Sequence, residues 1–229
     1  MEAAIEMRPD RFSVFGYAHV PGFKKHQRLI DENVLAGAQE RNEQAEAIAG
    51  ALVAAGYIRI GLDHFALPKD DLAVASESGR LHRNFQGYTT DECRTLIGLG
   101  ASSIGRFAEG YVQNEVPLGL YAKRISEGAL ATTKGYAMTA QDRFRAEVIE
   151  RLMCDFRVDL STIAASHGFD PKLLTDNNTR LRELVDDGVV DLNADVVQVC
   201  DDNRFMIRAV ASAFDAYFGS AGRSFSKAA

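Results

Sequence analysis

The stretch AGAQERNEQAEAIAGALVAAGYIRIGL, residues 36–62, decides how the fold is read. It opens rich in Ala, Glu and Gln, with Ala45, Ile48, Ala49 and Leu52 at helical spacing. Gly56 predicts the stop, because glycine just past a helix takes the left-handed conformation without a Cβ penalty. Tyr57-Ile58-Arg59-Ile60-Gly61-Leu62 then reads as a strand. Toward the N-terminus, residues 2–7 read as the last turns of a helix stopped by Pro9. Residues 12–17 (FSVFGY) read as a buried strand closed by Pro21-Gly22. Toward the C-terminus come a short helix over 70–78, the loop HRNFQGYTT at 82–90, and a strand at 95–99. Strand, helix, strand, loop, strand is the rhythm of an α/β sheet with parallel strands. Ligands in such sheets sit beyond the carboxyl ends of the strands, here Ala18-His19, Asp63-His64 and residues 101–104.

The pattern changes near residue 132. A helix is predicted over 139–156 and shorter ones over 160–166 and 171–185. Alternation on both sides of Asn193-Ala194-Asp195 signals a hairpin, and residues 203–218 a final amphipathic helix. The expected organisation is an α/β portion at 1–131, a mostly helical, winged-helix-like module at 132–218, and a small polar tail at 219–229.

Of 229 residues, 46% are hydrophobic, enough for a core without disulfides or a structural metal. The net charge of −6 argues against nucleic acid and anionic membrane surfaces as partners. Cys93, Cys154 and Cys200 lie far apart without CxxC spacing, so neither a zinc site nor a redox dithiol is signalled. Free thiols, an N-terminus without a basic n-region and no long apolar run together predict a cytoplasmic location.

Three features carry candidate chemistry. Gly98-Leu99-Gly100 followed by Gly105 has its third glycine misplaced for a dinucleotide fingerprint, and reads as a tight strand-to-helix turn. His19, His26, His64 and His82 lack the short-range pairing of metal sites, so no metal is expected. His64 stands out because Asp63 could orient and charge its imidazole toward an anionic substrate. The 82–90 loop mixes Phe85 and Tyr88, which offer flat faces, with Asn84 and Gln86, which read polar edges. It suits a planar or polar ligand, the alternative being an ordinary surface loop.

RPDRFSVFGYAHVP at 8–21, GLDHFALP at 61–68, HRNFQGYTT at 82–90, GLGASSI at 98–104 and LMCDFR at 152–157 occur in one order. In that order they resemble the C-terminal part of the oxygen-independent coproporphyrinogen III oxidases. The resemblance implies the distal part of a radical-SAM partial (β/α) barrel followed by the winged-helix-like module. It implies oxidative decarboxylation of two propionates of coproporphyrinogen III to vinyls, giving protoporphyrinogen IX by a deoxyadenosyl-radical mechanism. The cofactors implied are S-adenosylmethionine and a [4Fe-4S] cluster. Matched by motif, Ala18, Gln86 and Ile104 are expected at S-adenosylmethionine, with Phe85 in the substrate or second S-adenosylmethionine pocket. His64 and Arg83 are added on charge grounds as contacts to propionates.

One departure stands out. The family holds its cluster with C-x3-C-x2-C, and no cysteines here have that spacing. The glycine-rich S-adenosylmethionine segment is also missing, so this chain alone is expected to ligate no cluster and to be inactive. Exposed barrel edges are expected to make it self-associate. Two other readings are a related heme chaperone or heme-binding protein, and a winged-helix regulatory module. Against the latter, residues 140–229 hold 11 basic and 15 acidic residues.

Overall fold

The structure is a computed structural model and describes residues 1–219. The expected tail, apart from Gly219, lies outside the described residues. A short helix α1 (Glu2–Glu6) leads to β1 (Arg11–Ser13). Two 3-10 turns, Lys25–Leu29 and Glu32–Val34, precede α2 (Ala38–Ala54), which Gly56 ends at φ +89. Then come β2 (Ile58–Ile60), β3 (His64–Ala66) and α3 (Asp71–Glu77), whose N-terminus Asp70 caps by accepting from Leu72 N.

The first sheet has the order β1-β3-β2, and both pairings are antiparallel. This corrects the expectation of parallel neighbours. Residues 61–63 connect β2 to β3, far short of the dozen or so that a parallel crossover needs, so the chain must double back. β1 and β2, joined through α2, still run the same way, with β3 inserted between them. The predicted strand at 12–17 keeps only its first residues, since pairing with β3 ends at Ser13↔His64.

The 82–90 segment is no loop. It is a hairpin of β4 (His82–Asn84) and β5 (Gly87–Thr89). The predicted strand at 95–99 reduces to a bridge between Leu96 and Arg106. The glycine-rich turn after it leads into a strand rather than a helix: β6 (Ile104–Phe107), β7 (Gly110–Asn114) and, beyond α4 (Leu118–Ser126), β8 (Thr132–Ala137) form an antiparallel sheet.

α5 (Ala140–Asp155) has a full capping box between Thr139 and Asp142, and Phe156 ends it in the left-handed conformation. Thr139→Ala is expected to cost about 1 kcal/mol of stability, read from the urea midpoint. β9 (Arg157–Asp159) and α6 (Leu160–His167) follow. The helix predicted over 171–185 is two, α7 (Lys172–Thr175) and α8 (Thr179–Asp186), broken where Asn177 sits at φ +57. The predicted hairpin forms as β10 (Val190–Asn193) and β11 (Val196–Val199), with Ala194 at φ +52 in its turn. The final helix is shorter than predicted: a 3-10 segment, Asp201–Met206, runs into α9 (Ile207–Ser212).

The largest apolar core joins α5, α6, α8, α9 and the β10-β11-β9 sheet around Phe144, Leu152, Leu160, Leu181, Val197 and Phe214. A second cluster, including Ile60, Leu72, Leu81, Tyr88 and Cys154, welds the first sheet and the β4–β5 hairpin onto α5.

Candidate active site

The site grows from the turn at 61–63 and the β4–β5 hairpin. Gly61 sits at φ +56, and Asp63 follows, its carbonyl accepting from Val14 N at 2.8 Å. His64 Nδ1 lies 2.7 Å from Asp63 Oδ1, and both side chains are largely buried. A carboxylate can only accept, so Nδ1 carries the proton and the opposite ring edge is left to meet a ligand. That edge faces Gly87: a Cβ there would stand 3.5 Å from His64 Cε1 and Nε2. The second Asp63 oxygen lies 3.6 Å from Arg208 on α9.

The hairpin pairs Arg83 with Tyr88 and Asn84 with Gly87, leaving Phe85 and Gln86 as its turn. Asn84 Oδ1 accepts from Gln86 N at 2.8 Å, and Gly87 takes φ +136. Tyr88 is buried, and its hydroxyl accepts from Leu62 N at 3.1 Å and donates to Met153 O at 2.9 Å. Burial pushes this phenol up to about 12, so it stays a proton donor at neutral pH. The His64 ring meets the Tyr88 ring edge-on at 5.1 Å, and the Arg83 guanidinium lies 5.5 Å from the same ring centroid.

Three residues of α5 hold the hairpin. Glu150 accepts from Arg83 N at 3.1 Å and meets His82 Nδ1 at 3.0 Å. Arg151 donates to Leu81 O and to Gly79 O, and Met153 receives the Tyr88 hydroxyl. Arg83 itself forms no ion pair among the described residues, and its buried Nε has no hydrogen-bond partner. Arg83 is thus a cation over the Tyr88 ring with no ion-pair partner among the described residues, and His64 meets the same ring.

Of the expected site residues, His64 and Arg83 are brought together around Tyr88. Phe85 is exposed at the turn, its ring 5.2 Å from Tyr111 on β7, and Gln86 is exposed beside it. Ile104 begins β6, the neighbour of β7. Ala18 stands in a separate irregular segment, where its carbonyl accepts from the buried Gln27 at 3.0 Å. Sequence reasoning missed Tyr88 as the pivot, though it lay inside the quoted motif. It also missed Glu150 and Arg208, whose helical surroundings carry no signal.

The cysteines do not form a cluster site. Cys154 is buried in the second apolar cluster, which pushes its thiol up to about 12. A hydrogen bond to Asp91 raises the exposed Cys93, and burial with Asp191 nearby raises Cys200. Thiolates are the ligands of iron–sulfur clusters, and each shift here opposes their formation. Among the described residues no group of three or more His, Cys, Asp or Glu side chains could hold a metal ion. Nor is any helix of these residues long and apolar enough to cross a membrane.

The mixed α/β arrangement resembles that of a solved radical SAM enzyme. A solved structure described as coproporphyrinogen III oxidase (HemN) from Escherichia coli, a radical SAM enzyme, matches with a TM-score of 0.88. The match has 38% identity and covers 94% of this chain and 50% of that one. Its homologues are oxygen-independent coproporphyrinogen III oxidases. The one from Bradyrhizobium diazoefficiens is 56% identical over 211 residues, 92% of this chain and 47% of the relative. The one from Salmonella typhimurium is 38% identical over 224 residues, 97% and 49%. The chain therefore spans about half the length of the curated relatives it matches. No family model matches it.

Proposed function

We propose that this chain is the C-terminal half of a coproporphyrinogen III oxidase that binds the carboxylates of coproporphyrinogen III, while the other half of the fold supplies the radical chemistry. The likeness in structure and sequence over 94% of the chain carries this reading. In the reaction each of two propionates loses carbon dioxide, a hydrogen atom and an electron to become a vinyl group. This chain's share is to hold the substrate: Arg83 and the free edge of His64 receive a propionate, and Phe85 offers a face to a pyrrole ring. Ala18, by its backbone, Gln86, by its amide, and Ile104, by apolar contact, are assigned to S-adenosylmethionine, the source of the radical.

The [4Fe-4S] cluster does not fit the thiols present, so no step is assigned to it on this chain. Anaerobic incubation with iron and sulfide is expected to produce no visible cluster absorption. A stoichiometric cluster would overturn the assignment of that chemistry to the other half. Substrate holding is tested by titrating the purified chain with coproporphyrin III, the stable oxidised form. The reading expects saturable fluorescence quenching by coproporphyrin III and none by a porphyrin without propionates. Equal binding of both sinks it.

Residues 1–131 represent the distal part of a partial barrel, and 132–218 the winged-helix-like module, supported by α5, α6, α8 and α9 sharing one core with the β10-β11-β9 sheet. β8 crosses back over that division to pair with β7. Comparison and charge balance do not favour the heme-chaperone or DNA-binding readings.

A further inference from the structure

Between residues 14 and 37 a single residue is buried, and it is polar: Gln27. Among the described residues it is the only buried polar or charged side chain, 7% exposed. Apolar residues of the same segment face outward instead, Phe15, Tyr17, Phe23, Leu29 and Val34 among them. The segment holds neither a strand nor an α-helix. Its path is therefore set by hydrogen bonds rather than by an apolar core.

Both ends of the Gln27 amide are engaged by one short stretch of backbone. Its oxygen accepts from Val20 N at 2.6 Å, and its nitrogen donates to Ala18 O at 3.0 Å. The amide thus bonds on both sides of His19, much as a paired strand would. The turn that carries Gln27 is anchored to the same stretch. Arg28 Nε donates to Pro21 O at 3.2 Å, and Val20 O accepts from Phe23 N and Lys24 N, each at 2.9 Å. His19 Nε2 meets Glu32 Oε1 at 3.1 Å. A buried amide with both ends satisfied fixes geometry, because breaking either bond strands a polar atom away from water.

The Ala18 peptide is left with one open function. Its carbonyl is held by Gln27, while its N–H, at an exposed position, has no hydrogen-bond partner among the described residues. We infer that Gln27 is a positioning residue for S-adenosylmethionine. By holding Ala18 O and Val20 N it sets the Ala18 N–H toward a hydrogen-bond acceptor of that ligand. Gln27 is itself buried, so it acts through the backbone. The inference rests on the assignment of Ala18 to S-adenosylmethionine under the proposed function.

The test titrates S-adenosylmethionine into the purified chain by calorimetry, with Gln27→Met and Gln27→Glu beside the parent. Methionine keeps the length of glutamine but cannot donate. It is expected to raise Kd about tenfold and to speed exchange of the Val20 amide by about the same factor. Glutamate adds a pH signature. Its protonated form has an O–H donor and a carbonyl acceptor and reproduces the amide, whereas the carboxylate only accepts and repels Ala18 O. Burial raises such a carboxyl, so it is protonated at the lower end of the range pH 6 to 8.5. Gln27→Glu is expected to bind about tenfold more weakly than the parent at pH 8.5 and within about twofold of it at pH 6. Lys25→Ala, exposed on the same turn, leaves Kd unchanged.

Parent-like binding by Gln27→Met overturns the inference. So does a Gln27→Glu affinity that, relative to the parent, is flat with pH. If Gln27→Met fails to fold, the pH series on Gln27→Glu decides alone. A parent that binds no S-adenosylmethionine also overturns it. Coproporphyrin III quenching on the same proteins reads substrate holding separately. A parent without quenching but with the pH recovery of Gln27→Glu loses the substrate role and keeps the role of Gln27. Quenching without any effect at Gln27 does the reverse.

Discussion

Gly61→Ala is expected to lower stability by about 4 kcal/mol, seen as a large fall in the urea midpoint at unchanged slope. Gly61 holds φ +56, where an L side chain is already strained, and its Cβ would lie 2.1 Å from Tyr88 Cζ. Tyr88 has no room to retreat. It is buried in the apolar cluster, and its hydroxyl bridges Leu62 N and Met153 O. Backbone strain contributes about 1 kcal/mol, overpacking about 1–3, and loss of the buried hydrogen bonds about 1–3. Gly79 is the internal control: it sits at φ +66, with nothing within 4 Å of an added Cβ. Gly79→Ala should therefore show only the strain, about 1 kcal/mol. Equal losses at the two positions would mean that the Tyr88 contact is not what makes Gly61 necessary.

Arg83→Ala is expected to weaken coproporphyrin III binding about ten- to hundredfold with little effect on stability. A charge-assisted hydrogen bond is worth about 1.5–3 kcal/mol, and each 1.4 kcal/mol is a factor of ten. The separation of the two effects follows from geometry. Arg83 forms no ion pair among the described residues, and its guanidinium lies 5.5 Å from the Tyr88 ring centroid. Its backbone N–H, which Glu150 accepts, survives the substitution. Arg83→Lys should recover only part of the affinity, because a point charge cannot reproduce the planar fork. The exposed Arg94→Ala should leave binding unchanged. If Arg83→Ala binds as tightly as the parent, the propionate role of Arg83 is lost.

Much of the fold was legible where a local signal is also the structural cause. The capping residues Thr139 and Asp70 begin helices, Gly56 ends one, and Asn193-Ala194-Asp195 turns a hairpin, because each of these is decided within a few residues. The insertion of β3 between β1 and β2 was not legible. Apolar runs at 12–17 and 57–62 are compatible with either pairing, and only the three-residue connection to His64 forces the antiparallel return. The strand expected at 95–99 failed for a related reason. Leu96 alone finds a partner, in Arg106, while Leu99 is left outside any core.

The candidate site divides in the same way. Asp63 beside His64, and the aromatic and amide side chains of residues 82–90, are adjacent in the chain and could be named from it. That the 82–90 segment is a hairpin pinned to α5 by Glu150, Arg151 and Met153 depends on residues more than sixty positions away. So does the approach of Arg208 to Asp63. Chain-local chemistry, namely caps, turns, the missing cysteine spacing and the acidic balance, is written in neighbouring residues because its interactions are short. Which strands pair, which arginine is left without a counter-charge and which apolar faces stay uncovered are settled only when distant segments compete for the same interior.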